Sequence, residues 1–251
     1  MLYPPDRPDR LWLMASIPAL RTAFVLAGGK GERLRPLTDD RPKPMVEVAG
    51  TPILVHHLKW LRDNGIDRAV ILTGYLHKVI GDYFAVPRID GLTVKCIAEE
   101  RPLGRGGAFR NGFELSECTD QLVIGTNGDV ITDQSIAPLL DLHQSSGAWV
   151  TILLAQLVSP YGIVGVDDAG QVSSFVEKPS LPYWINAGVY LLDSSVFGRF
   201  PAEGDHETST FPDLAQQGRI AGFKSTAFWS SVESPKDLRE ASDRLQALRR
   251  A

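Results

Sequence analysis

Short apolar runs alternate with amphipathic segments along the first half of the chain. Residues 22–27, which read TAFVLA, form a run typical of a buried strand, and residues 52–64 repeat apolar side chains at the spacing of a helix. Thr51 and Pro52 suit the N-cap and first position of that helix, and Gly65 suits its end. The further predicted strands are 68–73, 92–97 and 121–126, and the further predicted helices are 77–84 and 105–115. Strands alternating with helices predict a mostly parallel sheet covered on both faces.

Closely spaced strands replace this alternation after about residue 148. The predicted strands are 149–154, 161–166, 172–176 and 187–192. An amphipathic helix is predicted over residues 234–248, with Ser234 as N-cap and Pro235 in its first position. We therefore expect one domain over residues 21–251, with a nucleotide-type front half up to about residue 147 and a β-rich back half.

Residues 1–20 precede the first predicted strand and do not share its pattern. Their apolar stretch from Leu11 to Leu20 is interrupted by Ser16 and Pro18 and leads directly into a strand. It is also shorter than the roughly 18 apolar residues that span a bilayer. We expect an irregular leader rather than a signal peptide, with Met14 as a candidate natural start. The expected location is the cytoplasm, without membrane attachment.

Composition and charge exclude several classes of protein. The chain has 251 residues, of which 43% are hydrophobic and 22% charged, close to globular averages and enough for one large α/β domain or two small ones. The net charge of −4 provides no general field for binding nucleic acid. Cys96 and Cys118 are too few for a disulfide scaffold and lack metal-ligand spacing. Phosphate chemistry would therefore depend on a local cluster of donors.

A glycine-rich segment follows the first predicted strand. Gly28, Gly29 and Gly31 can bring backbone N–H groups close to a phosphate, although an ordinary tight turn has a similar composition. The segment matches neither the dinucleotide fingerprint nor the P-loop. Arg33 and Lys43 follow it, and prolines on both sides of Lys43 stiffen the backbone there. Two cations so close to a glycine cradle suit a triphosphate.

Several motifs resemble one enzyme family. Residues 26–38, which read LAGGKGERLRPLT, and residues 42–44 resemble the signature of the sugar-1-phosphate nucleotidyltransferases, also called NDP-sugar pyrophosphorylases. Other segments match the family in the same order. They are 100–108, 127–129, 161–162, 175–179, 186–190 and 229–235. The sequence of these motifs most resembles that of the mannose-1-phosphate and heptose-1-phosphate guanylyltransferases.

The resemblance implies both a fold and an activity. The fold would be α/β and Rossmann-like, with a mixed, mostly parallel sheet, helices on both faces and a β-rich, sugar-binding second half. The enzyme would transfer a nucleoside monophosphate from a nucleoside triphosphate to a sugar-1-phosphate, giving an NDP-sugar and pyrophosphate. Catalysis would depend on positioning and charge neutralisation, with Mg²⁺ as cofactor. The expected partners are these two substrates and a second copy in a homodimer, with neither nucleic acid nor a membrane.

The resemblance also assigns roles to residues. Arg33 and Lys43 would neutralise the phosphates, and Asp129 would ligate Mg²⁺, although Asn-Gly-Asp is also an ordinary turn sequence. The residues implied in nucleotide binding are Leu26, Ala27, Gly28, Gly29, Gly31, Glu99, Gly104 and Arg105. The residues implied in sugar-phosphate binding are Gly162, Glu177, Lys178, Asn186 and Gly188.

Two positions depart from the family's pattern. Ser231 stands where an aspartate usually supplies the second Mg²⁺ ligand, and a hydroxyl is a poor substitute. Glu233 or Asp133 would then have to reach the metal instead. Arg105 stands where a threonine is common and adds a cation. A binding protein for nucleotide sugars, with weak or no catalysis, is therefore an alternative from another class.

Glu99 bears on the choice of nucleobase. Relatives that use UTP or dTTP commonly have glutamine there, whereas a carboxylate can accept both adjacent donors of guanine, N1–H and the N2 amine. We therefore predict a GTP-dependent enzyme for a mannose- or heptose-type sugar. The alternatives are a uridylyl- or thymidylyltransferase acting on glucose-1-phosphate or a similar sugar, and a Glu99 that is merely solvated at the end of a strand.

Overall fold

The computed structural model describes residues 20–248, so the predicted leader lies, apart from Leu20, outside the described residues. The strands are β1 (Thr22–Ala27), β2 (Glu47–Val48), β3 (Thr51–Pro52), β4 (Arg68–Thr73), β5 (Thr93–Ala98), β6 (Leu122–Asn127), β7 (Val130–Thr132), β8 (Val150–Val158), β9 (Ile163–Val166), β10 (Val172–Val176), β11 (Ser180–Asp193), β12 (Ile220–Lys224) and β13 (Trp229–Ser231). The α-helices are α1 (Ile53–Asp63), α2 (His77–Tyr83), α3 (Gly104–Ser116), α4 (Ala137–Ser146), α5 (Thr210–Gln216) and α6 (Pro235–Leu248). Within the described range, none of these helices combines the length and apolar character needed to cross a membrane.

Seven strands form the central sheet, in the order β12-β8-β11-β6-β1-β4-β5. Parallel pairing joins β1 to β4 and β6, β4 to β5, and β8 to β12. Within this sheet β11 runs antiparallel to both of its neighbours, β6 and β8. The sheet is therefore mixed and mostly parallel, which confirms the predicted architecture.

Helices cover both faces of the sheet because the strands are apolar at successive positions. Ala23 and Val25 of β1 pack into one hydrophobic core with Leu58 of α1. Phe24, between them in sequence, packs into a second core with Phe109 of α3. Successive side chains of a strand point to opposite faces, so an uninterrupted apolar run marks a strand buried on both sides.

The start of α1 differs from the prediction. The sequence predicts Thr51 as N-cap and Pro52 as the first helical residue, but the helix begins at Ile53. Thr51 and Pro52 instead pair with β2 as a short strand, and the Ile53 N–H donates to the Val46 carbonyl at 2.9 Å. Pro52 has a ψ of 141°, an extended value. Local pairing with β2 therefore prevails over the helix-start signal.

The chain after β6 contains more structure than its pattern predicts. The sequence does not predict α4, α5, β7, β12 or β13, and the strand predicted over 187–192 is only the end of β11. Strands β7 and β13 have three residues each, too few for an alternating pattern to be recognised. With β12 beside β8, the back half contributes three strands to the central sheet.

Candidate active site

The carboxyl ends of β1, β4, β5 and β6 meet at one edge of the sheet. Thr73, the last residue of β4, lies opposite Ala27 of β1 on one side and Ala98 of β5 on the other. The glycine-rich segment follows β1, Glu99 follows β5, and Asp129 comes just after β6. In open α/β sheets this edge is where ligands bind.

A cavity of about 400 Å³ opens at this edge. Its lining includes nine residues predicted from the sequence to bind nucleotide or act in catalysis, together with two acids from elsewhere in the chain. They are Leu26, Ala27, Gly28, Gly29, Lys43, Glu99, Gly104, Arg105 and Asp129, with Asp205 and Glu233. An adjoining cavity of about 360 Å³ shares Gly29, Lys43, Asp129 and Glu233 and adds Gly31 and Arg33. The structure thus brings the predicted nucleotide and catalytic residues to one place.

A larger cavity, of about 780 Å³, lies at the opposite edge of the sheet, beside the starts of β4 and β5. Two of the arginines in its lining are already paired, Arg21 with Asp67 and Arg68 with Asp120. The glycine-rich segment is far from it in the sheet, at the other end of β1. We therefore place the candidate site in the smaller cavity, where the glycines and the charged groups converge.

The glycine-rich segment packs directly against Lys43. Gly31 has a φ of 64°, in the left-handed region, and a Cβ there would lie 2.7 Å from the Lys43 Cβ. Thr38 Oγ1 donates to the Gly31 carbonyl at 2.9 Å. Glycine is the residue that permits both this backbone angle and this approach. The two parts of the sequence signature therefore form one structural unit.

Four charged side chains, which we call the charge cluster, meet beside that unit. Lys43 Nζ lies 2.5 Å from Asp129 Oδ2 and 2.7 Å from Glu233 Oε1. Arg33 Nη2 lies 2.5 Å from Glu233 Oε2. The Lys43 side chain is only 9% exposed, so solvent screens its charge less than that of a surface lysine. Arg33, Lys43, Asp129 and Glu233 are thereby held in one contiguous group.

Pairing of β13 with β7 brings Glu233 to this cluster. Ser231 lies opposite Val130, and the Val232 N–H donates to the Asp129 carbonyl at 3.3 Å. Asp133, the other acid considered from the sequence, instead accepts a hydrogen bond from the Phe228 N–H at 2.8 Å. Of these two acids, Glu233 is the one that shares the Lys43 ammonium with Asp129.

The two carboxylates of the cluster fit a divalent cation. Asp129 Oδ1 is buried and has no hydrogen-bond partner among the described residues, an arrangement that costs free energy unless a ligand completes it. Mg²⁺ is usually held by one or two carboxylates together with substrate phosphates. Residues 20–248 contain no group of three or more His, Cys, Asp or Glu side chains that could hold a metal on its own. Asp129 and Glu233 are the carboxylates of the charge cluster that could contribute to holding such an ion.

Glu99 is held between two glycines at the edge of the sheet. A Cβ on Gly28 would lie 3.4 Å from Glu99 Oε1, and one on Gly74 would overlap that oxygen. The other carboxylate oxygen accepts from the Leu103 N–H at 3.1 Å. Partial burial raises the pKa of Glu99, and the bond from Leu103 opposes that shift. Glu99 is thus a fixed part of the cavity wall rather than a freely solvated side chain.

Arg105 is tied to two acids in the loop before α5. Its Nη2 lies 3.0 Å from Asp205 Oδ2, and its Nη1 pairs with Glu207. Its backbone N–H also donates to Asp205 Oδ1 at 2.9 Å. The hydrogen bond between them raises the pKa of Arg105 and lowers that of Asp205. Arg105 lines the cavity with its guanidinium charge already matched by carboxylates.

Two of the residues predicted to bind the sugar phosphate lie in β11, near the cavity-lining residue Asn127. Gly188 of β11 has a φ of 69°, and a Cβ there would lie 2.5 Å from Asn127 Nδ2, at the end of β6. Asn186 lies two residues earlier, and its Oδ1 accepts from the Gly188 N–H at 2.9 Å. Asn186 and Gly188 therefore lie in the part of β11 where the pairing with β8 is irregular, and Gly188 packs against Asn127 of the cavity wall.

The other three predicted sugar-site residues flank the β9–β10 hairpin: Gly162 directly precedes β9, and Glu177 and Lys178 directly follow β10. A Cβ on Gly162 would lie 2.9 Å from Glu177 Oε2, so these two residues are neighbours. Lys178 follows with a φ of 46°, and both Glu177 and Lys178 are exposed. None of the three is among the described residues that line the cavity. Their role in sugar binding stays a prediction.

The residues predicted from the sequence do not include Asn127, Asp205 or Glu207, which are polar residues at the site. Asn127 and Asp205 line the cavity, and Glu207 contacts Arg105. Asn127 is part of the quoted Asn-Gly-Asp motif, so the sequence did carry a signal for it. Asp205 and Glu207 belong to a loop without a matching motif, and only the fold brings them to Arg105.

Known proteins resemble this chain along most of its length. The family model described as "Nucleotidyl transferase" matches residues 22–247. A mannose-1-phosphate guanylyltransferase from Mycobacterium tuberculosis is 36% identical over an alignment of 223 residues. The match covers 86% of this chain and 62% of that protein. The chain therefore spans about 62% of the length of that relative.

Solved structures share the fold. HddC from Yersinia pseudotuberculosis, crystallised in complex with GMP-PN, superposes with a TM-score of 0.72 at 27% identity, covering 90% of this chain and 100% of that one. A UDP-glucose pyrophosphorylase in complex with UDP-glucose superposes with a TM-score of 0.71 at 18% identity, covering 91% and 99%. At that lower identity the likeness concerns the fold alone.

Proposed function

Because this chain belongs to the nucleotidyl transferase family, we propose that it transfers a nucleoside monophosphate from a nucleoside triphosphate to a sugar-1-phosphate and releases pyrophosphate. The observation that carries the proposal is the charge cluster beside the glycine-rich segment. Backbone N–H groups of a glycine cradle and two fixed cations suit the successive negative charges of a triphosphate. The guanylyltransferase relative supports the same reaction class.

The reaction places modest demands on acid–base chemistry. The sugar-phosphate oxygen is ionised at neutral pH, attacks the α-phosphorus, and the bond from that phosphorus to the bridging oxygen breaks. Pyrophosphate leaves with the bonding electron pair, so negative charge grows on the α-phosphate oxygens and on the leaving group. Lys43 and Arg33 are preorganised to neutralise that charge, and the glycine-rich segment orients the phosphates.

Asp129 and Glu233 are the residues that would hold Mg²⁺. When bound, the metal supplies positive charge beside the reacting phosphates. Glu233 would supply this ligand in place of the missing acid at residue 231, and Ser231 Oγ donates to Glu233 Oε1 at 3.2 Å. The hydroxyl thus orients a carboxylate two residues further along the chain. Lys43 forms an ion pair with both carboxylates and so holds them side by side.

GTP and a mannose- or heptose-type sugar-1-phosphate are the substrates that we favour. Glu99 is fixed in the cavity wall and offers a carboxylate that can accept both guanine donors. The similarity to HddC, crystallised with GMP-PN, and to a mannose-1-phosphate guanylyltransferase supports this choice. One domain over residues 21–251 is supported by β8, β11 and β12, which complete the sheet begun by the front half. A cytoplasmic location and a homodimer stay predictions.

Pyrophosphate release tests the proposal directly. GTP, UTP, dTTP, ATP and CTP are each combined with mannose-1-phosphate, a heptose-1-phosphate and glucose-1-phosphate, with Mg²⁺ present. We expect turnover that requires a sugar-1-phosphate and is fastest with GTP. Preference for UTP or dTTP would establish a uridylyl- or thymidylyltransferase instead. Nucleotide-sugar binding without turnover on any pair would establish a binding protein.

A further inference from the structure

Glu207 connects the nucleotide side of the molecule to β11. Its Oε1 accepts from Asn186 Nδ2 at 2.8 Å and from Tyr190 Oη at 3.0 Å. Its Oε2 pairs with Arg105, the second residue of α3. One carboxylate thereby joins a helix at the cavity wall to a residue predicted to bind the sugar.

The contacts of Asn186 fix which of its groups is free for a ligand. Nδ2 donates to Tyr190 Oη at 2.8 Å and to Glu207, so both amide protons are used. Oδ1 accepts from the Gly188 N–H at 2.9 Å, which leaves one lone pair. A rotation of the amide by 180° would place its oxygen against the Glu207 carboxylate. Asn186 can therefore serve a sugar only as an acceptor, from a hydroxyl group.

Tyr190 and Arg105 hold the Glu207 carboxylate in its contact with Asn186. Burial, followed by the nearby charge of Glu207, raises the pKa of Tyr190 well above its ordinary value, so the phenol keeps its proton and donates. The Glu207 side chain is only 21% exposed, and a carboxylate so little exposed requires a cation. Arg105 supplies that cation and is itself oriented by Asp205.

We propose that Arg105 and Glu207 are positioning residues for the sugar-1-phosphate: their ion pair fixes the Asn186 amide so that Oδ1 accepts from a sugar hydroxyl. The inference rests on the proposed function. It assigns the guanidinium of Arg105 to the sugar side of the reaction, whereas the sequence pattern assigns this residue to the nucleotide. It also identifies the substrate group at Asn186 as a hydrogen-bond donor.

Glu207→Gln removes the ion pair with little change in size. We expect the KM for the accepted sugar-1-phosphate to rise about tenfold, with less than a twofold change in kcat and in the KM for the nucleotide, because an interaction used equally in binding and in the transition state is lost. Arg105→Met should likewise raise the KM for the sugar-1-phosphate and leave the KM for the nucleotide nearly unchanged. The double variant should be no worse than either single variant, because the two residues act as one unit.

Arg101 and Glu203 provide a matched control pair. Arg101 lies three residues before α3, and Glu203 lies in the same loop as Glu207. The two form an ion pair, but their side chains are 66% and 59% exposed. Glu203→Gln should leave both KM values unchanged. Thermal unfolding of each variant separates loss of fold from loss of function. An equal rise in both KM values for Glu207→Gln, or a lowered unfolding temperature with no selective change in KM, would show a structural role only and overturn the inference.

Calorimetric binding separates this inference from the proposed function. Binding of the sugar-1-phosphate and of GTP is measured for wild type, Glu207→Gln and Glu203→Gln without turnover. Weaker sugar-phosphate binding by Glu207→Gln alone, with unchanged GTP binding, is the expected result. A wild type that binds both ligands but releases no pyrophosphate would refute the proposed function while the binding data still decide the role of Glu207. Unchanged sugar-phosphate binding by Glu207→Gln would refute that role.

Discussion

Residue 231 is serine where relatives usually have an aspartate, and Glu233 brings a carboxylate to the same region from two residues further along the chain. Side chains two residues apart in an extended segment lie on the same side, and the contact of Ser231 Oγ with Glu233 Oε1 shows that these two do. The same carboxylate also contacts both cations of the charge cluster. Its loss would therefore affect metal binding and phosphate binding, and the two effects need separate measurements.

Substitutions at the two acids test the metal site. Asp129→Asn should reduce kcat by about 10²–10³, the usual scale for one preorganised electrostatic group. Glu233→Gln should raise the Mg²⁺ concentration for half-maximal activity at least about tenfold, because one carboxylate ligand is lost. Ser231→Asp in the Glu233→Gln background should restore part of that loss. Mn²⁺ binding to the complex with GTP, followed by electron paramagnetic resonance, measures the site independently of turnover.

Asp133→Asn is the control for this experiment. Asp133 contacts Phe228 and Arg244 rather than the charge cluster, so its substitution should leave the metal titration unchanged. If Glu233→Gln also leaves Mn²⁺ binding unchanged, Glu233 serves only to orient Arg33 and Lys43.

Glu99 carries the prediction about the nucleobase. Glu99→Gln should lower the ratio of kcat/KM for GTP to that for UTP by about 10-fold or more, because a charge-assisted hydrogen bond contributes roughly 1.5–3 kcal/mol. The ratio is measured with one accepted sugar-1-phosphate. Glu100→Gln, at the exposed neighbouring residue, is the control and should leave the ratio unchanged. An unchanged ratio in Glu99→Gln would mean that other groups read the base.

At the scale of elements, helix α3 depends on the absence of side chains along one side. The Gly106 N–H donates to the Gly204 carbonyl at 2.9 Å, and a Cβ on Gly107 would lie 2.6 Å from the Ala202 carbonyl oxygen. These approaches seat the loop that carries Asp205 and Glu207 against α3. The glycines therefore serve the positioning of Arg105 as much as the helix itself.

Gly107→Ala tests this packing against helix propensity. Alanine favours a helix over glycine by about 1 kcal/mol, but the added methyl group meets backbone that cannot move without displacing the loop. We expect a net loss of about 1–3 kcal/mol in the free energy of unfolding, measured with urea. Gly81→Ala in α2 is the matched control, since a Cβ there meets nothing within 4 Å. It should stabilise by about 0.5–1 kcal/mol. Stabilisation by both substitutions would contradict the close approach.

The strands also show which parts of the fold and of the site could be predicted from the sequence. Strands β1, β4 and β6 are largely apolar runs, and β5 has apolar residues on both sides of Lys95, so the positions of these strands and their shared carboxyl edge follow from the pattern. Gly31, Lys43 and Asp129 follow from motifs. The pairing of β13 with β7 joins segments about a hundred residues apart and leaves no trace in local pattern. For that reason the sequence could not choose between Glu233 and Asp133. The same holds for Glu207, which reaches Arg105 only through the folded chain.

At the scale of the whole molecule, two buried histidines link stability to pH. His57 lies in α1, with Nδ1 3.0 Å from the Val130 carbonyl and Nε2 3.1 Å from Thr126 Oγ1. His206 is fully buried, and its ring nitrogens have no hydrogen-bond partner among the described residues. Its ring lies 4.6–5.6 Å from four aromatic rings, measured between centroids. They belong to Phe109, Tyr190, Phe200 and Phe211.

Burial lowers the pKa of both His57 and His206 from 6.5 to about 4, and the nearby Arg105 contributes for His206. Below pH 6.5 these two histidines therefore bind protons in the unfolded chain but stay neutral in the folded chain until the pH approaches 4. The stability from these neutral rings is complete above pH 6.5 and is lost as the pH falls toward 4. At pH 5 the loss should be about 2 kcal/mol per histidine.

His206→Phe keeps an aromatic ring in the same enclosure and removes one titrating group. Urea unfolding of wild type and His206→Phe at pH 7.5 and pH 5.0 should show a smaller loss in the variant, by about 1–2 kcal/mol. Equal losses in the two proteins would mean that His206 accepts its proton without leaving the folded state.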